Sequence, residues 1–192
     1  MQAQDVLDFW FLPPGSEGHG KQRSEWFRKD AAFDTALRER FGDLINQAVA
    51  GGLREWDEQG PRGTLARILL LDQFTRNAYR GKPESFSGDL LALLAARQLV
   101  DAGSDKALSP SERIFVYLPF EHAEDARMQE LSVSLFTELA QAHEGFTEVL
   151  DYAHRHRGMI ARFGRFPHRN AILGRASTPE ELAFLELPGS SF

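Results

Sequence analysis

LARILLLDQFTRNAYR, residues 65–80, decides the fold class. From Ile68 to Leu71 every position is apolar, so the segment predicts a helix beginning near Thr64 and covered on nearly every side. Polar residues then continue its apolar spacing. Leu65, Ile68 and Leu69 define a face that carries on to Asp72 and Arg76. A carboxylate and a guanidinium four apart on a helix can pair, and in a buried helix they must find partners, because an unpaired buried charge is very costly. Arg80 lies one turn further on, beside Arg76, and that like-charge pair asks for an anion or another carboxylate nearby. Gln73 and Asn77 flank the face. Two readings stay open. Asp72–Arg76 is a structural ion pair locking a central helix, or Arg76 or Arg80 points into a cleft.

The remaining periodicity is also helical. Phe33, Leu37, Phe41, Leu44 and Ala48 keep one stripe that Gly51-Gly52 stops. DLLALLAARQLV predicts a helix closing at Gly103. SPSE at 109–112 has the capping-box pattern, with Pro110 at the first helical position. EDARMQELSVSLFTELA and EVLDYAHRHRGMIARF are two more long helices, and TPEE at 178–181 caps a short last one. Alternating apolar and polar runs are few, and no Asn-Gly or Asp-Gly turn is present. The breaks PRG and GKPESFSG are too short to separate independent domains, and no fixed-period repeat is visible. The expectation is one all-α domain over residues 1–192.

Composition narrows the function classes. The chain is 42% hydrophobic with a net charge of −6, which argues against nucleic acid as a partner, since backbone binding needs a broad basic surface. It has no cysteine, which excludes disulfides and cysteine-ligated metals. Asp5 and Asp8 interrupt the apolar N-terminus, so it does not read as a signal peptide, and no apolar run approaches the ~20 residues of a membrane helix. A soluble, cytoplasmic protein is expected, with no membrane partner.

Against that acidic background, IARFGRFPHRN at 160–170 gathers Arg162, Arg165, His168 and Arg169. Gly164 permits a helix end, Pro167 stiffens the residues after it, and Phe163 and Phe166 anchor the loop by burial. Arg165, His168, Arg169 and Asn170 remain as donors, with Arg175 close behind. Arginine forks match carboxylate or phosphate. Met128, Leu131, Leu135 and Leu139 mark the buried face of their helix, and counting back places Glu124 and Glu121 over its core side at the helix start, where carboxylates suit the dipole. Glu121 and His122 follow a Pro119-Phe120 corner. His156 lies inside the stripe Val149, Tyr152, Ala153, Ile160 and Phe163. His154 points elsewhere, so the two are not an i, i+4 metal clamp. A lone histidine on an apolar face is most often a hydrogen-bonded core residue, and a ligand or catalytic role is the alternative.

LLLDQFTRNAYRG, ERIFVYLPFEHAED and IARFGRFPHRNAILGR together resemble the bacterial family called domain of unknown function 924. VLDFWF, WFRKDAAFD and the closing STPEE also look like its segments, in the right order, so the resemblance spans nearly the whole chain. Thr75 stands where the family pattern has proline, and Ala123 where it has serine. The resemblance implies stacked antiparallel helix pairs, similar to tetratricopeptide-repeat proteins, and implies no activity. Asp72, Arg76, Asn77, Glu121, His122, Glu124, Arg165, His168, Arg169 and Asn170 all fall within the matching motifs.

Three functions compete. The first is binding of an anionic small molecule or peptide end by Arg76, Asn77, Arg80, Arg165, His168, Arg169 and Asn170, with Phe166, Trp26 and Phe120 as aromatic walls. The second is a hydrolase using Glu121, His122, His156 or His168 as acid, base or ligands. No HExxH, P-loop, GxSxG or dinucleotide motif is present, and no resident metal or cofactor is implied. The third is a protein-interaction scaffold of tetratricopeptide type, with Asp72, Arg76, Glu121 and Glu124 in purely structural ion pairs. Trp10, Phe11, Trp26 and Phe27 are expected in the core.

Overall fold

The structure, a computed structural model, describes residues 1–190. Among them are nine α-helices and no strand: α1 (Ala3–Phe11), α2 (Ala31–Val49), α3 (Pro61–Ile68), α4 (Thr75–Ala78), α5 (Asp89–Asp101), α6 (Pro110–Glu121), α7 (Ala126–Ala142), α8 (Thr147–Phe163) and α9 (Pro179–Leu185). No helix among the described residues is long and apolar enough to cross a membrane. The chain divides into two compact units, Met1–Arg80 with Glu84–Pro119, and Gly81–Pro83 with the residues from Phe120 onward.

The first unit is built on the run that begins in α3. It starts at Pro61, three residues before the expected Thr64, and Pro61 fits the first helical position because its missing N–H would have no partner there. The run does not stay α-helical. Leu69–Phe74 forms a π-turn, after which α4 resumes. Every residue from Thr64 to Thr75 is buried, as the all-round apolar pattern predicts. Helices α1, α2 and α5 pack on this run. Thr75 uses its hydroxyl to donate to the Leu71 carbonyl at 2.8 Å, so the oxygen inside the widened turn is satisfied. Gly88, just before α5, lies directly over the same carbonyl. A Cβ there would stand 2.1 Å from Leu71 O.

Rings fill the space between these helices. Phe74 meets Phe9, Trp10 and Phe41, and Phe115 of α6 meets Trp10, Phe11 and Trp26. The Trp26 indole donates to the Trp10 carbonyl at 2.9 Å. Trp10, Phe11 and Trp26 are therefore core residues. Phe27 is not: Trp26 takes the inward position of its short 3₁₀ turn and leaves Phe27 57% exposed.

In the second unit, α7 and α8 pack as a hairpin across the short link 143–146. Asp125 caps α7 by accepting from the N–H groups of Arg127 and Met128, and Gly164 closes α8 in the left-handed region at φ 70°. TPEE forms the expected capping box, Thr178 with Glu181, at the start of α9. The place assigned to Glu121 and Glu124 needs correction. Helix α6 runs through Pro119, which lies two residues from its end, so Glu121 closes α6 and Glu124 precedes the α7 cap. Asp125, rather than either glutamate, satisfies the free N–H groups.

Gly88→Ala forces a methyl group against a backbone carbonyl that cannot yield without disturbing the π-turn. The expected cost is about 1–3 kcal/mol in urea unfolding. Unchanged stability would mean that α5 does not sit this close to Leu71.

Candidate functional site

The charged face of the central run is matched from other helices. Arg76 makes the expected i, i+4 pair with Asp72 at 3.2 Å, and its fork also takes both oxygens of Asp89 at 2.9 and 3.1 Å. Burial alone would lower the Arg76 pKa, but the two carboxylates hold it above the usual value. Gln73 donates to Asp72, which is fully buried. Arg80 takes both oxygens of Asp34 at 2.9 and 3.1 Å, and Asn77 donates to the same carboxylate at 2.7 Å. The carboxylates that the Arg76–Arg80 pair calls for are Asp34 and Asp89. Neither is visible from local spacing, because they sit on α2 and at the start of α5.

The basic loop of the second unit has a similar internal frame. Arg165 grips Glu181 with bonds of 2.7 and 2.8 Å and donates to Ala176 O. Arg175 grips Glu124 at 2.6 and 2.9 Å and also reaches Phe166 O and the Asn170 side chain. Asn170 donates to Ser177 and Glu181, and the Phe166 N–H donates to Glu124. Hydrogen bonds from Arg165 and from the Thr178 backbone pull the Glu181 pKa down to about 2. For Glu124, burial acts upward, but bonds from Arg175 and the Phe166 N–H prevail and hold its pKa below the usual range. The cation that meets Glu124 of FEHAED is Arg175, which lies beyond the loop 160–170. The main partner of Arg165 is a residue that sequence reading used only as a helix cap.

Inside this frame lies a cluster of different character. Glu121 and His156 are both buried, and His156 Nδ1 stands 3.0 Å from Glu121 Oε1 and 2.9 Å from the Tyr152 carbonyl. A carbonyl only accepts, so Nδ1 carries the proton and Nε2 carries the lone pair. The end of α6 that bears Glu121 is held by Gln129, whose buried amide donates to the carbonyls of Glu121 at 2.7 Å and Ala123 at 2.8 Å. Phe166 is the hub of the cluster. Its ring centre is 5.4 Å from that of His156 and 5.7 Å from that of His168, and the Arg169 guanidinium lies 4.4 Å over its face. The His122 ring is 6.2 Å from His156. Arg169 is buried, while His122 and His168 are half-buried.

Electrostatics follow from this crowding. Burial, then the neighbouring His122, push the His156 pKa down to about 3, with Arg169 and His168 adding to the effect. Burial, then Arg169, lower His168 to about 4. Both are neutral at pH 7, and the His156 ring is held at Nδ1 by Glu121 and the Tyr152 carbonyl. Among the described residues, no three His, Asp or Glu side chains converge closely enough to hold a metal ion. The sequence candidates therefore separate. Glu121, His122, His156, His168 and Arg169 come together. Arg76, Asn77 and Arg80 lie in the first unit and are engaged with carboxylates, and Arg165 and Asn170 serve the frame. Sequence reading missed Gln129, whose position on an apolar helix face was the available signal.

The model of a family described as a bacterial protein of unknown function (DUF924) matches residues 6–189. The chain belongs to this family. A solved structure of a protein of unknown function from Agrobacterium tumefaciens is similar over 96% of each chain, at 42% identity and a TM-score of 0.82. No curated protein matches.

Histidines kept neutral by the fold make a DUF924 chain of this kind acid-sensitive. Their folded pKa values lie below the ordinary 6.5, so their contribution is complete above that pH and is lost as pH falls towards 4 for His168 and 3 for His156. Unfolding free energy measured in urea should drop between pH 6.5 and 4 by at most about 1.4 kcal/mol per pH unit per histidine. His156→Gln combined with His168→Gln should flatten that slope. An unchanged slope would show that other groups titrate.

Proposed function

We propose that the second unit binds a small anionic ligand, a carboxylate or phosphate ester, at the cluster of His122, His156, His168 and Arg169, with proton uptake on binding. The observation that carries this reading is the crowding of the cluster. Two imidazoles, His156 and His168, and the Arg169 guanidinium collect around the Phe166 ring, with a third imidazole, His122, beside His156 and the Glu121 carboxylate against it. The frame that encloses them is a set of firm pairs, in which Arg165 and Arg175 are each gripped by a carboxylate through two bonds. An anion entering past the half-buried His122 and His168 meets groups whose protonation is held back by burial and by one another. Its charge favours their protonated forms, so ligand and proton bind together. The Glu121–His156 pair gives the site an oriented proton acceptor, and proton transfer to or from a bound ligand is the chemistry open to it.

Sulfate is a suitable probe, because its own charge is constant between pH 5 and 8 under the ordinary acid–base behaviour of strong acids. Histidine resonances followed by NMR should titrate at higher pH with sulfate than without it. Sulfate affinity should rise as pH falls, by up to about tenfold per pH unit for each proton taken up. His168→Gln should weaken the coupling. Histidine titrations that ignore saturating sulfate would overturn the proposal.

A further inference from the structure

A second feature of α8 lies about a quarter-turn round the helix from His156. Arg155, Gly158, Met159, Arg162 and Phe163, with Phe184 of α9 and Gly189, line an open cavity of about 320 Å³. Its floor is apolar: Met159 is buried, and the Phe163 and Phe184 rings stand 5.1 Å apart. Its rim is cationic. The Arg162 guanidinium lies 4.7 Å from the Phe163 ring centre and 5.6 Å from that of Phe184. Its ion pair with Glu180 joins two side chains that are 51% and 64% exposed, so the contact is weak and exchangeable. Arg155 lies over the Tyr152 ring at 5.2 Å and makes no ion pair with a carboxylate among the described residues.

Gly158 is the telling residue. It sits mid-helix, where glycine is among the poorest choices. Glycine is tolerated in such a place when another element packs too close for a side chain. Here a Cβ would meet nothing within 4 Å. No close packing requires the glycine. What a side chain would take up is the space of the cavity.

We infer that this cavity is a binding site for a small amphiphilic carboxylate, aromatic or short-chain acyl, whose apolar body lies along Met159, Phe163 and Phe184 and whose carboxylate meets Arg155 and Arg162. The charge arrangement fits that class: two arginines line a hollow floored by apolar side chains, in a chain of net charge −6. The site shares none of the histidines, although its floor packs in the same core cluster as Phe166.

Benzoate and hexanoate are the probes, with the Met159 methyl resonance as the readout. Either acid should shift that resonance saturably at millimolar concentration, and benzyl alcohol should bind more weakly than benzoate. Gly158→Leu should fill the hollow, weaken binding at least about tenfold and melt no lower than the parent protein. Arg155→Gln should weaken binding of the acids while leaving benzyl alcohol unaffected. Neither acid binding, or equal binding by Gly158→Leu, overturns the inference. The sulfate response of the histidines should persist in Gly158→Leu, so failure at one site is distinguishable from failure at the other.

Discussion

Asp72 has no exposed surface, and that one buried carboxylate organises the first unit. It requires a cation, and Arg76 supplies it from the next turn. The guanidinium is itself largely enclosed and carries more donors than Asp72 can use, so Asp89 is drawn to it from the first residue of α5. Docking α5 by its first turn brings Gly88 onto the Leu71 carbonyl. The π-turn, the glycine and the second carboxylate are therefore parts of one solution to burying one charge. Ring packing against Phe74 holds the other side of the same run.

The second unit meets the same constraint in another way. Its buried carboxylate is Glu181, which accepts from Arg165, Asn170 and the Thr178 N–H, and those bonds tie the loop after α8 to the start of α9. Glu124 does the same for the Phe166 segment through Arg175 and the Phe166 N–H. With the loop fixed from both ends, Phe166 is held against His156, and the imidazoles and Arg169 are brought close although they repel when charged. Ion pairs gripped through two bonds thus surround a crowded centre of neutral histidines.

Helix α8 contributes to both the Phe166 cluster and the hollow beside α9. His156 faces the Phe166 cluster, and Gly158 with Met159 faces the open hollow beside α9. A single stiff helix, capped by Gly164 and packed along α7, gives both a fixed frame. Its apolar stripe is not clean. Tyr152 is 40% exposed and lies under Arg155, while Val149, Ala153, Met159 and Ile160 form the buried face.

The sequence by itself determined what depends on neighbours a few residues apart. Helix identity follows from the 3.6-residue spacing, caps from Ser109 and Thr178, the helix end from Gly164, and the Asp72–Arg76 pair from one helical turn. Family membership was also legible, because the motifs are long and ordered. Tertiary structure decided everything that needed a partner from elsewhere. Asp34 and Asp89 look like ordinary surface residues of their helices until the fold brings them to Arg80 and Arg76. Glu181 reads as a helix cap and serves as the counter-charge of Arg165. The π-turn has no local signature, since it arises where a buried polar group and a close glycine share one carbonyl. Glu121 becomes the partner of His156 only because α6 continues past Pro119, a matter of backbone continuity that residue identity does not settle.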